Sequence, residues 1–211
     1  MPTDIFLKFH HYFKSKHRIA ISRLFFIAIL ATFIFGRNGL EMHMVLLAEI
    51  LFLFGVLLVG IGVLGRAWSL SYIAGMKNKS LVTKGPYSLC RHPLYLFSFA
   101  GCMGVGLCTE TLTVPLLILI GFAIYYPLAI KKEEFKMASR FSDDYEIYAA
   151  SVPCFMPNFR TFQDDEIRTI NSNAFLRGLT SLIYFIALIG VFELIESMRS
   201  AGLLLSLYTI Y

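Results

Sequence analysis

The chain has 211 residues, of which 57% are hydrophobic and only 16% charged, and its mean hydropathy is +0.67. Soluble domains carry about a quarter charged residues, so this composition excludes an ordinary soluble enzyme and points to one membrane-embedded domain. The formal net charge of +5 comes from Lys and Arg grouped between apolar runs, not from a basic stripe on a soluble segment, which argues against a nucleic-acid partner.

Residues 1–18 interleave Phe6, Phe9, Tyr12 and Phe13 with Lys8, Lys14, Lys16 and Arg18, the pattern of an interfacial amphipathic helix. No cleavable signal peptide is evident, because the first apolar run lacks a small-residue exit. Residues 19–35 form the first expected span, with Arg23 able to snorkel from its cytoplasmic end. Gly36-Arg37-Asn38-Gly39 reads as a short turn. Residues 44–65 form a second span, long enough to cross a bilayer, which takes about 20 apolar residues; Glu49 lies near one end. Residues 66–91 are polar and basic and contain the Gly85-Pro86 turn.

Residues 94–108 and 112–130 form a tight hairpin, broken only by Thr109-Glu110-Thr111. Gly101, Gly104 and Gly106 suit close helix contact. No strand precedes them, so they do not form a dinucleotide-binding loop. Residues 131–177 are again polar, residues 179–192 are a last span, and residues 203–211 are an apolar tail too short to cross alone. Among Cys90, Cys102, Cys108 and Cys154 there is no CxxC pair and no histidine at metal-ligand spacing. No metal site is therefore expected, and Cys102 and Cys108 read as small packing residues.

Lys and Arg set the orientation. Five lie between Lys8 and Arg23, Arg37 stands alone in the next loop, and Arg66, Lys77, Lys79, Lys84 and Arg91 follow in the third. The 109–111 turn has none, and Lys131, Lys132, Lys136, Arg140, Arg160, Arg168 and Arg177 come after it. The alternation puts the N-terminus and both long polar segments in the cytoplasm. Those segments flank one hairpin, so they emerge side by side and together can close a pocket over the membrane. The expectation is an all-α integral membrane protein with about five transmembrane helices. It divides into an N-terminal part (1–65), a core (66–160) and a C-terminal span with tail (161–211).

The core carries the chemistry-bearing residues. Pro93 suits the first turn of a helix, where its missing N–H costs nothing, so Arg91-His92 stand at the start of the 94–108 helix. Free amides there favour an anionic group, His92 and Tyr95 share a face, and Tyr87 and Tyr95 offer aromatic faces to a cation. Lys131-Lys132-Glu133-Glu134 lie at the expected cytoplasmic end of the 112–130 helix. The two carboxylates either pair with Lys131, Lys132 or Arg91, or hold a ligand ammonium; acidic residues at a helix C-terminus oppose its dipole, which tips the balance toward a functional reason. Asp143, Asp144 and Glu146 read as a solvated helix face.

Taken in order, Leu81-Val82-Thr83 with Gly85 and Tyr87, then Arg91-His92-Pro93 with Tyr95, then Glu133-Glu134, then Tyr145 with Tyr148, then Val152-Pro153 with Pro157 resemble the isoprenylcysteine carboxyl methyltransferase superfamily. That superfamily includes the phospholipid N-methyltransferases, and the likeness is nearest to a bacterial branch of unassigned substrate. It covers roughly residues 66–157. It implies a methyltransferase using S-adenosylmethionine, with cofactor contacts at Lys79, Ser80, Leu81, Val82, Tyr87, His92, Pro93, Leu94, Tyr95 and Glu133. The pocket would lie between the loop before the third helix and the segment after the fourth, in a bacterial plasma membrane and on its cytoplasmic side.

Two departures bear on the substrate. The isoprenylcysteine enzymes place an arginine one helical turn before the glutamate, where this chain has Ala129, and a glycine two residues after the motif tyrosine, where it has Phe97. The first argues against an isoprenylcysteine acceptor; the second bears on pocket width or helix packing. A lipid or lipidated acceptor follows from a site at the bilayer interface, with an amine, thiol or carboxylate as nucleophile. An amine must lose a proton, and Glu134 or His92 stands ready to accept it. The rival readings are an NADPH-dependent membrane reductase on a related scaffold and a catalytically silent accessory membrane protein.

Overall fold

The computed structural model describes residues 15–76, 80–165, 170–204 and 206–210. The expected amphipathic helix at 1–18 therefore lies almost wholly outside the described residues. In chain order the elements are α1 (Ser15–Phe35), β1 (Gly36–Asn38), α2 (Gly39–His43), α3 (Val45–Ile73), α4 (Pro86–Leu89), α5 (Pro93–Leu107), α6 (Thr113–Ser151), a 3-10 turn (Phe159–Thr161), α7 (Ser172–Ser200) and β2 (Tyr208–Ile210). Three of these helices, α3, α6 and α7, are long and apolar enough to cross a membrane, and two shorter apolar helices run through 23–35 and α5. Leu46, Leu57 and Leu64 on α3 and Ile183 and Ile186 on α7 are exposed. Such broad apolar surface matches lipid rather than water.

α3 and α5 meet backbone to backbone. A Cβ on Gly62 would stand 2.6 Å from Gly101 Cα, and one on Gly104 would stand 2.6 Å from the Gly55 carbonyl. Close contact through Gly101 and Gly104 was expected, because small residues let helices approach where lipid leaves little hydrophobic drive between them. Gly106 serves the hairpin instead, against Pro115 and Ile118. The Phe97 ring packs at the α3–α5 contact, where it fills the space left by the missing side chain of Gly65 and lies 6.5 Å from the Trp68 ring. The core beneath is apolar, with Phe33, Val59, Val105, Val114, Phe185 and Phe192 buried together.

Three boundaries differ from expectation. The expected turn at 36–39 is instead a strand leading into α2: Gly36–Asn38 pairs in parallel with Tyr208–Ile210, and Leu207 N–H donates to the Phe35 carbonyl at 2.8 Å. The apolar tail thus folds back as the partner of the 36–38 segment, and a small two-stranded ladder joins an otherwise helical fold. α3 continues to Ile73, so Arg66 is helical and does not begin the loop. α6 runs on to Ser151, with a break at Ser142 (φ 44°, ψ −119°). Glu133 and Glu134 consequently sit inside a helix, and the argument from a helix C-terminal dipole does not apply to them.

Beyond α6 the chain doubles back along the loop that precedes α5. Arg91 N–H donates to the Pro153 carbonyl (2.9 Å), Asn158 N–H to the Leu89 carbonyl (2.9 Å) and Gly85 N–H to the Gln163 carbonyl (2.7 Å). The Thr161 hydroxyl donates to the Ser88 carbonyl at 2.6 Å, and the Tyr72 hydroxyl to Asp164 at 2.6 Å. Gly85 is required here: its φ is +60°, and a Cβ would strike the Tyr72 ring. The two polar segments are therefore laced together, as their emergence on either side of one hairpin predicted.

Candidate active site

Pro93 occupies the first turn of α5 with His92 as its N-cap, and this start places Arg91 and His92 against α6. Glu133 and Glu134, successive residues on α6, are about 100° apart around its axis and reach His92 from two sides. Glu134 Oε1 lies 3.4 Å from His92 Nε2, and Glu133 Oε2 lies 3.8 Å from Nδ1. Arg91 Nη2 donates to the same Glu134 oxygen at 2.7 Å, while its Nη1 donates to the Ala149 carbonyl at 2.6 Å. The Cys154 thiol lies 3.6 Å from Glu134 Oε1. Of the two structural options for the glutamates, Glu134 takes the Arg91 pairing.

His92 is 7% exposed. Burial lowers its pKa below the ordinary 6.5; Glu133 and Glu134 pull upward, and Arg91 adds to the lowering. The imidazole is neutral at pH 7 and free to accept a proton. Cys90 is a different case: burial pushes its thiol up to about 11, which makes it an inert packing group.

Residues of this cluster line two cavities. One, of about 320 Å³, is lined by Ser80, Leu81, Val82, Tyr87, His92, Pro93, Leu94, Tyr95 and Glu133, together with Arg66, Arg91, Lys136 and Tyr148. Every expected cofactor contact is in that wall except Lys79, which lies outside the described residues. The Tyr87 hydroxyl is buried with no hydrogen-bond partner among the described residues, while the Tyr87 carbonyl accepts from the Tyr148 hydroxyl at 2.7 Å. A buried orphan donor in a cavity wall calls for a ligand group or water. The second cavity, about 460 Å³, is an apolar groove lined by Phe99, Leu119, Phe122, Ala123, Tyr126, Pro127, Ile130 and Phe155, with Lys131, Glu134 and Cys154 in its wall. The Tyr95 and Tyr126 rings, one from each cavity, stand edge to face with centroids 5.0 Å apart.

The phospholipid methyltransferase family matches residues 43–144. The cobalt-zinc-cadmium resistance protein CzcN of Cupriavidus metallidurans is 35% identical over 94% of this chain and 90% of its own length. The chain belongs to the phospholipid methyltransferase family. The nickel-cobalt-cadmium resistance protein NccN of Alcaligenes xylosoxydans xylosoxydans is 33% identical over 95% of the chain and 89% of its own length. A protein-S-isoprenylcysteine O-methyltransferase of Schizosaccharomyces pombe is 32% identical over 40% of this chain and 37% of its own length. No solved structure matches.

For this phospholipid methyltransferase-family chain, sequence reasoning passed over several residues of the two cavities. Arg66 and Lys136 were counted only as orienting charges, yet both line the first cavity. Arg66 is held there by the Ser98 hydroxyl and by Ser181 at 3.3 Å. Cys154 has no informative spacing, and the doubling back of the chain alone brings it to Glu134. Ala129 is buried and 5% exposed, so nothing charged stands at the position where the isoprenylcysteine enzymes carry arginine.

Proposed function

We propose that the chain is a membrane-embedded methyltransferase that binds S-adenosylmethionine in the 320 Å³ cavity and methylates a lipid or lipid-like acceptor held in the apolar groove. The observation that carries this reading is the 3.4 Å approach of His92, in the wall of the first cavity, to Glu134, in the wall of the second. Membership of the family supports the methyltransferase class over a reductase. The volume lies within the range of about 300–1,000 Å³ usual for small-ligand pockets, and the donor set suits the cofactor. Glu133 is an anchor for its ammonium, Arg66 and Lys136 for its carboxylate, and Tyr87 and Tyr95 supply aromatic faces for the sulfonium or adenine.

When bound, the cofactor supplies an electrophilic methyl group, transferred by in-line displacement. The chain's residues supply alignment, worth up to roughly 7–11 kcal/mol. The Tyr95–Tyr126 wall sets the line between the cavities. Arg91 fixes the Glu134 carboxylate, and neutral His92 beside it accepts the proton that an amine acceptor must lose; a carboxylate or thiolate acceptor would not need that step. The groove's apolar lining suits acyl or isoprenoid chains; the Lys and Arg pattern supports a cytoplasmic site, and the bacterial relatives support a bacterial membrane. The names of the two full-length relatives suggest resistance to divalent transition metals as the physiological setting.

Calorimetric titration of S-adenosylmethionine into detergent-purified protein tests the reading, alongside Glu133→Ala and His92→Ala. Micromolar binding lost in both variants supports it. Absence of binding to the folded intact chain overturns it and returns the choice to a reductase or an accessory protein.

A further inference from the structure

His92, Glu134 and Cys154 offer one nitrogen, one oxygen and one sulfur, and these ligand atoms all lie within 4.8 Å of one another. We propose that this trio is a binding site for a single thiophilic divalent cation of the zinc, cadmium or cobalt type, built across the wall between the two cavities.

The distances carry the inference. Zinc bonds histidine nitrogen and carboxylate oxygen at about 2.0–2.2 Å and thiolate sulfur at about 2.3 Å, so the edges of its tetrahedron measure roughly 3.4 Å for N···O and 3.6 Å for S···O. The chain holds His92 Nε2 at 3.4 Å from Glu134 Oε1 and Cys154 Sγ at 3.6 Å from the same oxygen. Two of three ligand edges already have the length that a tetrahedral ion imposes, and only the Nε2···Sγ edge must close. The donor chemistry points the same way: mixed imidazole, thiolate and carboxylate selects borderline-soft cations over magnesium or calcium.

The surroundings provide the supporting shell. Ligating histidines usually give their second ring nitrogen to a carboxylate, and Glu133 stands at 3.8 Å from His92 Nδ1. Arg91 now holds the Glu134 oxygen that the cation would take, but a carboxylate has a second oxygen. Arg91 also keeps the Ala149 carbonyl at 2.6 Å and that of Val152 at 3.4 Å, so it need not leave the site. On ligation the Cys154 thiol gives its proton to solvent, the neutral His92 uses its Nε2 lone pair, and thiolate and carboxylate together neutralise the dication. The cation then occupies the two groups assigned to proton acceptance, so it inhibits methyl transfer to an amine; this consequence alone rests on the methyltransferase reading.

The test uses the full-length chain in detergent, stripped with EDTA and titrated with cobalt(II) chloride, then with cadmium chloride. Cobalt is expected to give the intense visible bands of tetrahedral coordination and a near-ultraviolet thiolate-to-cobalt band, saturating at one ion per chain and displaced by cadmium. Cys154→Ser should abolish the thiolate band, Cys102→Ala should retain it, and Glu133→Gln should weaken affinity by about 10–100-fold, as loss of an outer carboxylate does. No thiolate band in the intact chain, or a band that survives Cys154→Ser, overturns the inference. Calorimetry of S-adenosylmethionine on the same samples separates the two readings: cofactor binding without cobalt binding removes the metal site alone, and cobalt binding without cofactor binding removes the methyltransferase alone.

Discussion

Arg91 and Glu134 are joined at 2.7 Å across the junction between the loop before α5 and the middle of α6. Arg91 also reaches the Ala149 and Val152 carbonyls, so one guanidinium ties the start of α5 to the middle of α6 and to its C-terminal end. Hydrogen bonds to charged groups are worth about 1.5–3 kcal/mol. Arg91→Ala is therefore expected to lower the unfolding temperature in detergent measurably, and Arg91→Lys to recover little, because an ammonium cannot reproduce the fork. A wild-type melting curve for Arg91→Ala would contradict this.

His92 sets a pH limb. Its pKa lies below 6.5, with burial as the main cause, opposed by Glu133 and Glu134 and assisted by Arg91. The neutral form accepts the proton, so methylation of an amine acceptor, measured with EDTA present, should show an acid limb that falls as pH drops below 6.5 through the lowered pKa. His92→Asn should be slower, with that limb gone. An unchanged profile in His92→Asn and Glu134→Gln would remove both from proton transfer.

Phe97 and Gly65 are a matched pair. A side chain at Gly65 would collide with the Phe97 ring, and overpacking of this kind costs about 1–3 kcal/mol. Gly65→Ala is expected to destabilise, and Gly65→Ala with Phe97→Leu to recover part of the loss, as neighbours do in a double-mutant cycle. Purely additive effects would show that the two do not compensate.

The apolar groove can be filled without touching the first cavity. Ala123→Phe is expected to raise the KM for a lipid acceptor about tenfold, in line with the cost of small steric changes in apolar pockets, while S-adenosylmethionine affinity stays unchanged. An equal loss of cofactor affinity would mean that the groove is not a separate acceptor site.

Tyr148 supports the orphan hydroxyl indirectly, by bonding the Tyr87 carbonyl at 2.7 Å. Tyr148→Phe removes a buried hydrogen bond worth about 1 kcal/mol and should weaken cofactor binding severalfold. Calorimetry with intact affinity in that variant would show that Tyr87 is held by other contacts.

The membrane scaffold and much of the first cavity were legible from the order of residues alone. Apolar runs of bilayer length are a local property, and so is the start of α5 at Pro93. The residues from Ser80 to Tyr95 are close in the chain, so a short loop could hardly scatter them. The glycines at 101 and 104 were legible because tight helix contact requires small residues wherever it occurs. The remaining features came from packing between distant segments. The continuation of α6 to Ser151 turned Glu133 and Glu134 from helix-end charges into mid-helix groups that bracket one imidazole. The doubling back of the chain after Ser151 brought Cys154 to Glu134, the tail paired with residues 36–38, and Gly65 made room for Phe97. Each of these is a contact between segments far apart in sequence. Periodicity and motif spacing report which face a residue presents, whereas its distant neighbour is chosen by the packing of whole helices.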